Sequence, residues 1–313
     1  MSISLLRTAD AWWVHLPTGA SRIDTEATTT AELLADRPAI DAAAASTSTV
    51  PVETLELLSP VSAPCRVVAQ MTNFASHVKD SGMNPETVPL TFFRKTSGSI
   101  SGPYDDVIKP EHVRLLDYEV EVGLVFGRSV PVGADITSDN IADYVAGLVV
   151  TNDISARDVQ LPKTQFYEAK SYPTFTPVGP ALVLLEPGEF KRFEDLRLQL
   201  RVNGQVRQDM TVKSDMIYRP VQALQALTKF QRLDAGDLLL TGTPGGTALK
   251  APPKPIEIIA SLMPPALKWK SFFAAQAKKP DYLRDGDVME VTVATDDGAL
   301  DLGTQRTVVR YER

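Results

Sequence analysis

The sequence of 313 residues predicts a mainly β protein with some α-helices. Apolar runs are short, as in residues 120–126 and 146–150, which is the length of buried strands rather than of long helices. The pair Asn203-Gly204 separates two strand-like runs, and Asn-Gly is a strong signal for a two-residue hairpin turn. A second turn at Asp297-Gly298 divides the C-terminal stretch 287–310 into antiparallel strands.

The chain divides into a small N-terminal domain, residues 1–62, and a larger domain, residues 63–313. In the first part we expect strands at 11–16 and 20–23, a helix near 28–34, and a loop or linker in the small-residue run 42–51. In the second part a helix is expected at about 220–231, because Pro220 suits a helix start and apolar residues recur on one face.

Residues 249–284 form a distinct segment of the larger domain, with six prolines among many apolar residues. This segment is too apolar for a free linker, so we expect it to pack against something. It is interpreted as an insertion that covers the active site or extends a dimer contact. The alternative is a surface helix pair docked on its own subunit.

Composition limits the class of protein. The 43% hydrophobic and 23% charged residues are ordinary for a globular chain, and the net charge of −7 argues against nucleic acid or an anionic membrane as main partner. The single cysteine, Cys65, excludes an internal disulfide and fits a reducing, cytoplasmic location. The N-terminus does not resemble a signal peptide, and no apolar run is long enough to span a membrane.

Acidic residues recur at every second position in the apolar run 115–127. Because side chains alternate along a strand, Asp117, Glu119 and Glu121 are expected to share one face. Carboxylates so close together repel one another, and a divalent cation is the simplest compensation. A solvent-facing acidic stripe on an edge strand explains the same pattern equally well.

Asp153 and Lys170 extend this candidate site. Asp153 follows the apolar strand 146–150, where it is well placed to join the two glutamates. A lysine beside carboxylates and a metal can bind an oxyanion or move a proton, although a single lysine such as Lys170 is more often an ordinary solvated residue. Only three scattered histidines exist, so the ligands are mainly oxygen atoms, which favours Mg²⁺, then Mn²⁺, then Ca²⁺.

His77 and Asp80 lie three residues apart, and one helical turn would place them on the same face. In that arrangement the carboxylate can orient the imidazole as a base. Taken alone, a single histidine in a mixed segment is more often structural.

Motifs of other enzyme classes are missing from the sequence. The chain has no G-x-S-x-G, and its GTPGG run lacks the Lys-Ser/Thr of a phosphate loop.

Seven motifs in order make the sequence resemble the fumarylacetoacetate hydrolase family. They span about residues 63–248, and the closing strands also match. The motifs are NFASHVKD (73–80), FFRKTSGSI (92–100), DYEVE (117–121), TNDISARDVQ (151–160), AKSYPTFTPVGP (169–180), VNGQVRQ (202–208) and GDLLLTGTPGG (236–246). The resemblance implies that family's mixed β-sandwich roll, with a small N-terminal domain, and a homodimer.

The resemblance also assigns site residues. It implies that Glu119, Glu121 and Asp153 are the metal ligands and that Lys170 is an active-site base or oxyanion partner. Substrate contacts are implied for three further residues: Thr243, which would bind a carboxylate or carbonyl end, and Arg94 and Gln160.

The family's usual water-activating motif resembles N-Y-x-x-H-x-x-E, with the histidine and the glutamate polarising the attacking water. This chain has Phe74 and Asp80 in place of the tyrosine and the glutamate. Aspartate is one methylene shorter, so we expect a water molecule to bridge Asp80 and His77.

The activity that the resemblance implies is metal-dependent hydrolysis of a carbon-carbon bond in a 1,3-dicarbonyl 2-oxo acid, such as an acylpyruvate or a fumarylacetoacetate-like compound. Two alternatives remain. One is a decarboxylase or isomerase of 2-oxo acids on the same fold, and the other is a noncatalytic binding protein. Metal-dependent turnover of an acylpyruvate would separate an enzyme from a binding protein.

Overall fold

The computed structural model describes residues 2–312, apart from the side chains of Pro187, Glu257, Ile259 and Ala260. Its strands are β1 Ile3–Arg7, β2 Trp12–Leu16, β3 Gly19–Arg22, β4 Val67–Met71, β5 Thr91–Lys95, β6 Ile100–Ser101, β7 Val107–Lys109, β8 Leu116–Asp117, β9 Val120–Phe126, β10 Val145–Asn152, β11 Ser155–Ala156, β12 Thr176–Pro177, β13 Leu182–Leu184, β14 Leu196–Val202, β15 Gln205–Thr211, β16 Leu238–Leu240, β17 Val288–Thr295 and β18 Asp301–Tyr311.

The α-helices are short. They are α1 Thr30–Ala35, α2 Arg37–Ala44, α3 Ala75–Asp80, α4 Arg157–Lys163, α5 Val212–Asp215, α6 Pro220–Leu227, α7 Lys254–Ser261 and α8 Pro265–Gln276. Turns of 3₁₀-helix occur at Val52–Thr54, Ser97–Ser99, Ile141–Asp143 and Pro187–Asp195. The predicted mainly β class with some helices is confirmed.

A nine-stranded sheet forms the centre of the molecule, in the order β3-β2-β1-β13-β10-β9-β16-β4-β5. Every residue of β9 is buried, because both faces of this strand are covered. On one face Val122 and Leu124 pack in the same core as Leu198 and Val291 of a second sheet. The other face packs against the N-terminal helices in a separate core.

The second sheet has five strands, in the order β15-β14-β17-β18-β7. Its β14-β15 hairpin turns at Asn203 and Gly204, which have φ angles of 51° and 78°. Both values lie in the left-handed region that Asn and Gly tolerate best, so this predicted hairpin is confirmed. The turn between β17 and β18 likewise contains Gly298, with φ 68°.

The N-terminal strands continue the central sheet. β1 pairs with β13, with Leu5 opposite Leu182, and Leu33 of α1 packs in the same core as Leu238 of β16. The proposed domain boundary at residue 62 stays a prediction, but strands on both sides of it share one sheet.

Three local predictions differ from the structure. The run 115–127 is not one strand, because the chain breaks at Tyr118 and Glu119 between β8 and β9. The helix expected at 220–231 ends earlier, at Leu227, and α2 extends to Ala44 into the expected loop. The last two differences lie at the ends of elements, which local pattern fixes least well. The first is a break inside the predicted strand.

The insertion 249–284 contains α7 and α8. Phe273 and Tyr282 are buried against Leu115 and Ala248, so the expected packing occurs against the chain's own larger domain. Neither these helices nor any other helix within residues 2–312 is long and apolar enough to cross a membrane.

Candidate metal centre and active site

Three carboxylates meet at the end of the β9-β10 pair. Glu119 precedes β9, Glu121 lies within it, and Asp153 follows β10. The antiparallel register places Thr151 opposite Glu121, and the Asp153 amide donates to the Glu119 carbonyl over 2.8 Å. One oxygen atom from each carboxylate lies within 4.8 Å of the others, and all three residues are buried. Burial removes the possibility of a solvent-facing acidic stripe.

Two lysines neutralise part of this carboxylate cluster. Lys170 Nζ donates to Glu119 Oε2 over 2.5 Å and to Asp153 Oδ2 over 2.6 Å. Lys95 Nζ pairs with the other oxygen of Asp153 and donates to the Phe175 carbonyl over 2.9 Å. Burial opposes the charged form of Lys170, but Asp153 and Glu119 more than offset it and raise its pKa. For Lys95, burial dominates over Asp153 and lowers the pKa.

Glu121 is the carboxylate of the three that no described lysine or arginine contacts. It accepts a hydrogen bond of 2.6 Å from the Gly242 amide. Burial and the nearby charges of Asp153 and Glu119 raise its pKa well above the ordinary value, so a bare carboxylate is unfavourable here. Three buried carboxylate oxygens, of which that of Glu121 has no cationic partner among the described residues, fit a hard divalent cation.

Asp117 is not part of this cluster, which corrects the expectation that three acidic side chains share one face. The break after β8 turns its carboxylate towards Arg157, whose Nε donates over 2.8 Å. The amides of Ala248 and Leu249 also donate to it, over 2.8 and 3.1 Å. Arg157 in turn contacts Glu119 Oε1 at 2.5 Å, so Asp117 acts on the cluster through an arginine.

His77 and Asp80 both lie on α3, but no hydrogen bond joins these two described residues. His77 is buried, and its Nδ1 atom has no hydrogen-bond partner. Burial lowers its pKa; Glu119 opposes this shift, while Arg157 favours it. The Asp80 carboxylate instead accepts from the Gly246 amide over 3.1 Å. The predicted water-bridged dyad stays a prediction.

Thr243 and Gln160 are each linked to the cluster only through other residues. Thr243 is buried, and its hydroxyl accepts a hydrogen bond of 2.8 Å from Gln208 Nε2. Gln160 Oε1 accepts from Arg157 Nη1 over 3.0 Å. Both side chains are thus held by neighbours of the cluster, and their predicted substrate contacts remain untested.

Arg94 is not brought to the cluster. It is exposed on β5, whereas the next residue, Lys95, is buried and reaches Asp153. Successive side chains on a strand point to opposite faces, so only one of the two can reach the site.

Sequence reasoning missed Lys95 and Arg157 as site residues. Both belong to motifs quoted for the resemblance, FFRKTSGSI and TNDISARDVQ. The period of a strand through residues 91–95 separates Arg94 from Lys95, but it does not say which of them faces the core.

Comparison with known proteins gives one family. The family model described as fumarylacetoacetate (FAA) hydrolase C-terminal matches residues 66–310 of this chain. A rat protein named oxaloacetate tautomerase Fahd2a, mitochondrial, is 34% identical over 218 residues, which is 68% of this chain and 66% of that protein. A Sphingomonas protein named 2,4-didehydro-3-deoxy-L-rhamnonate hydrolase is 33% identical over 253 residues, covering 80% of this chain and 75% of its own.

Solved structures give the same fold. The crystal structure of a probable 2-hydroxyhepta-2,4-diene-1,7-dioate isomerase from Mycobacterium abscessus has a TM-score of 0.75 at 30% identity, with all of both chains covered. A fumarylacetoacetate hydrolase from Exiguobacterium antarcticum has a TM-score of 0.70 at 24% identity, again over both whole chains, and supports the fold alone.

Proposed function

The chain belongs to the fumarylacetoacetate hydrolase family, and from this premise we propose that it is a divalent-metal-dependent enzyme that converts a small 2-oxo acid through its enolate. The observation that carries the proposal is the buried set of Glu119, Glu121 and Asp153, with Lys170 bonded to two of them. Such a set is costly to bury without a ligand that uses it.

Glu119, Glu121 and Asp153 would hold the cation, and Mg²⁺ fits their oxygen donors best. When bound, the cation supplies Lewis acidity that stabilises the enolate of a 2-oxo acid. Arg157 fixes the orientation of Glu119 from outside the cluster. Lys170 Nζ, bonded to Glu119 and Asp153, lies beside the cluster, where it can neutralise an enolate oxygen or transfer a proton to it.

We propose keto-enol tautomerisation or a related isomerisation as the reaction. It moves a proton from carbon to oxygen without consuming water, so it needs a proton acceptor and a donor but no oriented water. His77, whose pKa is lowered by burial, is the neutral base, and Lys170 is the donor. The names of the rat tautomerase and the M. abscessus isomerase support this reaction class and suggest oxaloacetate or a related 2-oxo dicarboxylate as substrate.

Carbon-carbon bond hydrolysis of an acylpyruvate-like substrate, the reaction expected from the sequence, is the second candidate. It is favoured by the free Nδ1 atom of buried His77, which is available to activate water, and by the name of the Sphingomonas relative. It is disfavoured by the absence of a direct hydrogen bond between the described Asp80 and His77 side chains, because the Asp80 carboxylate accepts from the Gly246 amide instead. The homodimer and the cytoplasmic location stay predictions.

The test is a substrate panel with product analysis. Metal-stripped protein is mixed with oxaloacetate or acylpyruvates, with and without Mg²⁺ or Mn²⁺, while enol absorbance is followed and products are identified by NMR. We expect metal-dependent enol-keto equilibration of oxaloacetate without loss of carbon. Release of pyruvate with a carboxylic acid would establish hydrolysis instead, and release of CO₂ would establish decarboxylation. Full activity after chelation would contradict the metal-dependent proposal.

A further inference from the structure

Helix α3, which carries His77, is fixed by contacts from outside itself. It has six residues, and its N-cap residue Phe74 makes no side-chain cap hydrogen bond. A helix of this length is not stable on its own hydrogen bonds, so external partners decide where it lies.

Asp215, the last residue of α5, supplies the missing cap. One of its carboxylate oxygens accepts from the Ser76 amide over 3.0 Å, and the other accepts from the Ser76 hydroxyl. The adjoining residues continue the contact, because the Ile217 amide donates to the Asn73 carbonyl over 2.7 Å and the Tyr218 amide donates to Asn73 Oδ1 over 2.8 Å. The segment after β15 therefore holds the start of α3.

Ser76 carries the contact further, into the glycine loop that follows β16. The Gly245 amide donates to the Ser76 hydroxyl over 2.7 Å. The same loop places the Gly242 amide on Glu121 Oε2. A chain of hydrogen bonds thus runs from Asp215 through Ser76 to the loop that contacts a carboxylate of the cluster.

We propose that Asp215 is a positioning residue: through Ser76 it sets the position of α3, and so of His77, relative to the glycine loop and the carboxylate cluster. Asp215 makes no hydrogen bond to the carboxylate cluster itself. Its effect on turnover rests on the proposed function, since it assumes that His77 transfers a proton. Misplacing such a base by about 1 Å can reduce a rate by about a hundredfold.

The first measurement reports the position of His77 without any substrate. The chain has three histidines, His15, His77 and His112, so imidazole ¹H-¹⁵N spectra can be assigned by replacing the other two with Gln. We expect Asp215→Ala to shift or broaden the His77 signals while leaving those of His15 and His112 unchanged. Asp139→Asn, at an exposed acid elsewhere, is the matched control and should change none of them. Unchanged His77 signals in Asp215→Ala would overturn the proposal.

The second measurement uses turnover on the best substrate of the panel. Asp215→Ala should lower kcat about 10- to 100-fold with little change in KM, and Asp215→Asn, which keeps an oxygen acceptor for the Ser76 amide, should recover most of the loss. In a His77→Ala background the Asp215→Ala change should lower kcat by less than about threefold, because the histidine through which Asp215 acts is missing. A loss of that size is about the error expected for independent, additive effects. An undiminished loss in that background would show that Asp215 does not act through His77.

The two proposals can fail separately. If the wild-type protein turns over no 2-oxo acid, the proposed function fails, while the His77 spectra still decide whether Asp215 positions α3. If Asp215→Ala does not fold, Ser76→Ala replaces it, with Asp215→Asn as the conservative control. Ser76→Ala is expected to perturb the same His77 signals, and unchanged signals in Ser76→Ala would refute the proposal.

Discussion

The carboxylate cluster and the insertion 249–284 differ in the environment of their charged side chains. In the cluster, Lys170 bridges Glu119 and Asp153, and the paired groups are buried. The insertion has six lysines and one arginine against two acidic residues. None of its lysines forms an ion pair with an acid whose side chain is described, and its surface exposes Leu262 to 84% and Ile258 to 65%.

Solvent explains the difference. Burying a charge without a partner costs several kcal/mol, so the cluster is stable only where each charge meets an opposite charge, a hydrogen-bond donor or a metal. Most lysines of the insertion are exposed, so water solvates them and they need no ionic partner. A given substitution should therefore have large effects in the cluster and small effects in the insertion.

The largest effect is expected from the carboxylates of the cluster. Glu119→Ala, Glu121→Ala and Asp153→Ala should each lower kcat by more than about a thousandfold and weaken Mn²⁺ binding, because each removes a proposed ligand. Isothermal titration calorimetry with Mn²⁺ and steady-state kinetics measure the two effects. Asp139→Ala, at an exposed acidic residue outside both regions, is the control and should change neither. Normal Mn²⁺ affinity in Glu121→Ala would exclude it as a ligand.

A lysine in each region tests the comparison directly. Lys170→Met leaves Glu119 and Asp153 without one of their cations, so without added metal we expect it to lower the free energy of unfolding by about 3–5 kcal/mol. Lys270→Met, on the exposed surface of α8, should change it by less than about 0.5 kcal/mol. Urea denaturation measures both. Equal effects of the two substitutions would contradict the contrast between the two regions.

Substitutions of His77 and Asp80 test which residues of α3 take part in proton transfer. His77→Ala should lower kcat by about 10² to 10⁴ without changing metal affinity, as for the loss of a general base. Asp80→Asn keeps an oxygen that can accept from the Gly246 amide, so we expect a loss of less than about threefold. A large loss in Asp80→Asn would favour a catalytic dyad and hydrolysis.

The pH profile gives an independent check on His77. Because burial lowers its pKa, the neutral imidazole persists below pH 6.5, and the acid limb of kcat/KM should lie below that value. The same shift means that the unfolded chain binds the proton more readily, so His77 contributes stability above its unfolded pKa that is lost as the pH falls. Thermal unfolding of His77→Gln beside the wild type, from pH 7 to pH 5, should show a weaker acid destabilisation in the variant.

The smallest effect is expected at the tip of the insertion. Leu262 is almost fully exposed, so Leu262→Ser removes little buried apolar surface. We expect the free energy of unfolding to change by less than about 0.5 kcal/mol, with Leu5→Ser in the central core as the destabilising counterpart. A loss above about 2 kcal/mol at Leu262 would mean that the folded protein covers this side chain, for example in a homodimer.

The sequence was most informative where the pattern is local. The Asn203-Gly204 hairpin follows from residues in the turn itself, and the positions of Glu121 in β9 and Asp153 after β10 follow from short apolar runs. The family was recognisable because its motifs keep their order along the chain, and the family model matches most of the same stretch. Each of these features depends on residues close together in sequence, where backbone preference and side-chain alternation operate.

Only the tertiary structure decided which side chains meet. Alternation separates Arg94 from Lys95, but it took the packing of β5 on the central sheet to direct Lys95 to Asp153. Sequence spacing predicted that Asp117 lies beside the glutamates, but the break after β8 turns its carboxylate towards Arg157, which donates a hydrogen bond to it. Asp80 lies one helical turn from His77, yet its carboxylate accepts a hydrogen bond from the Gly246 amide, 166 residues away in sequence. Hydrogen-bond partners far apart in sequence are chosen by the packing of whole elements, which no local pattern records.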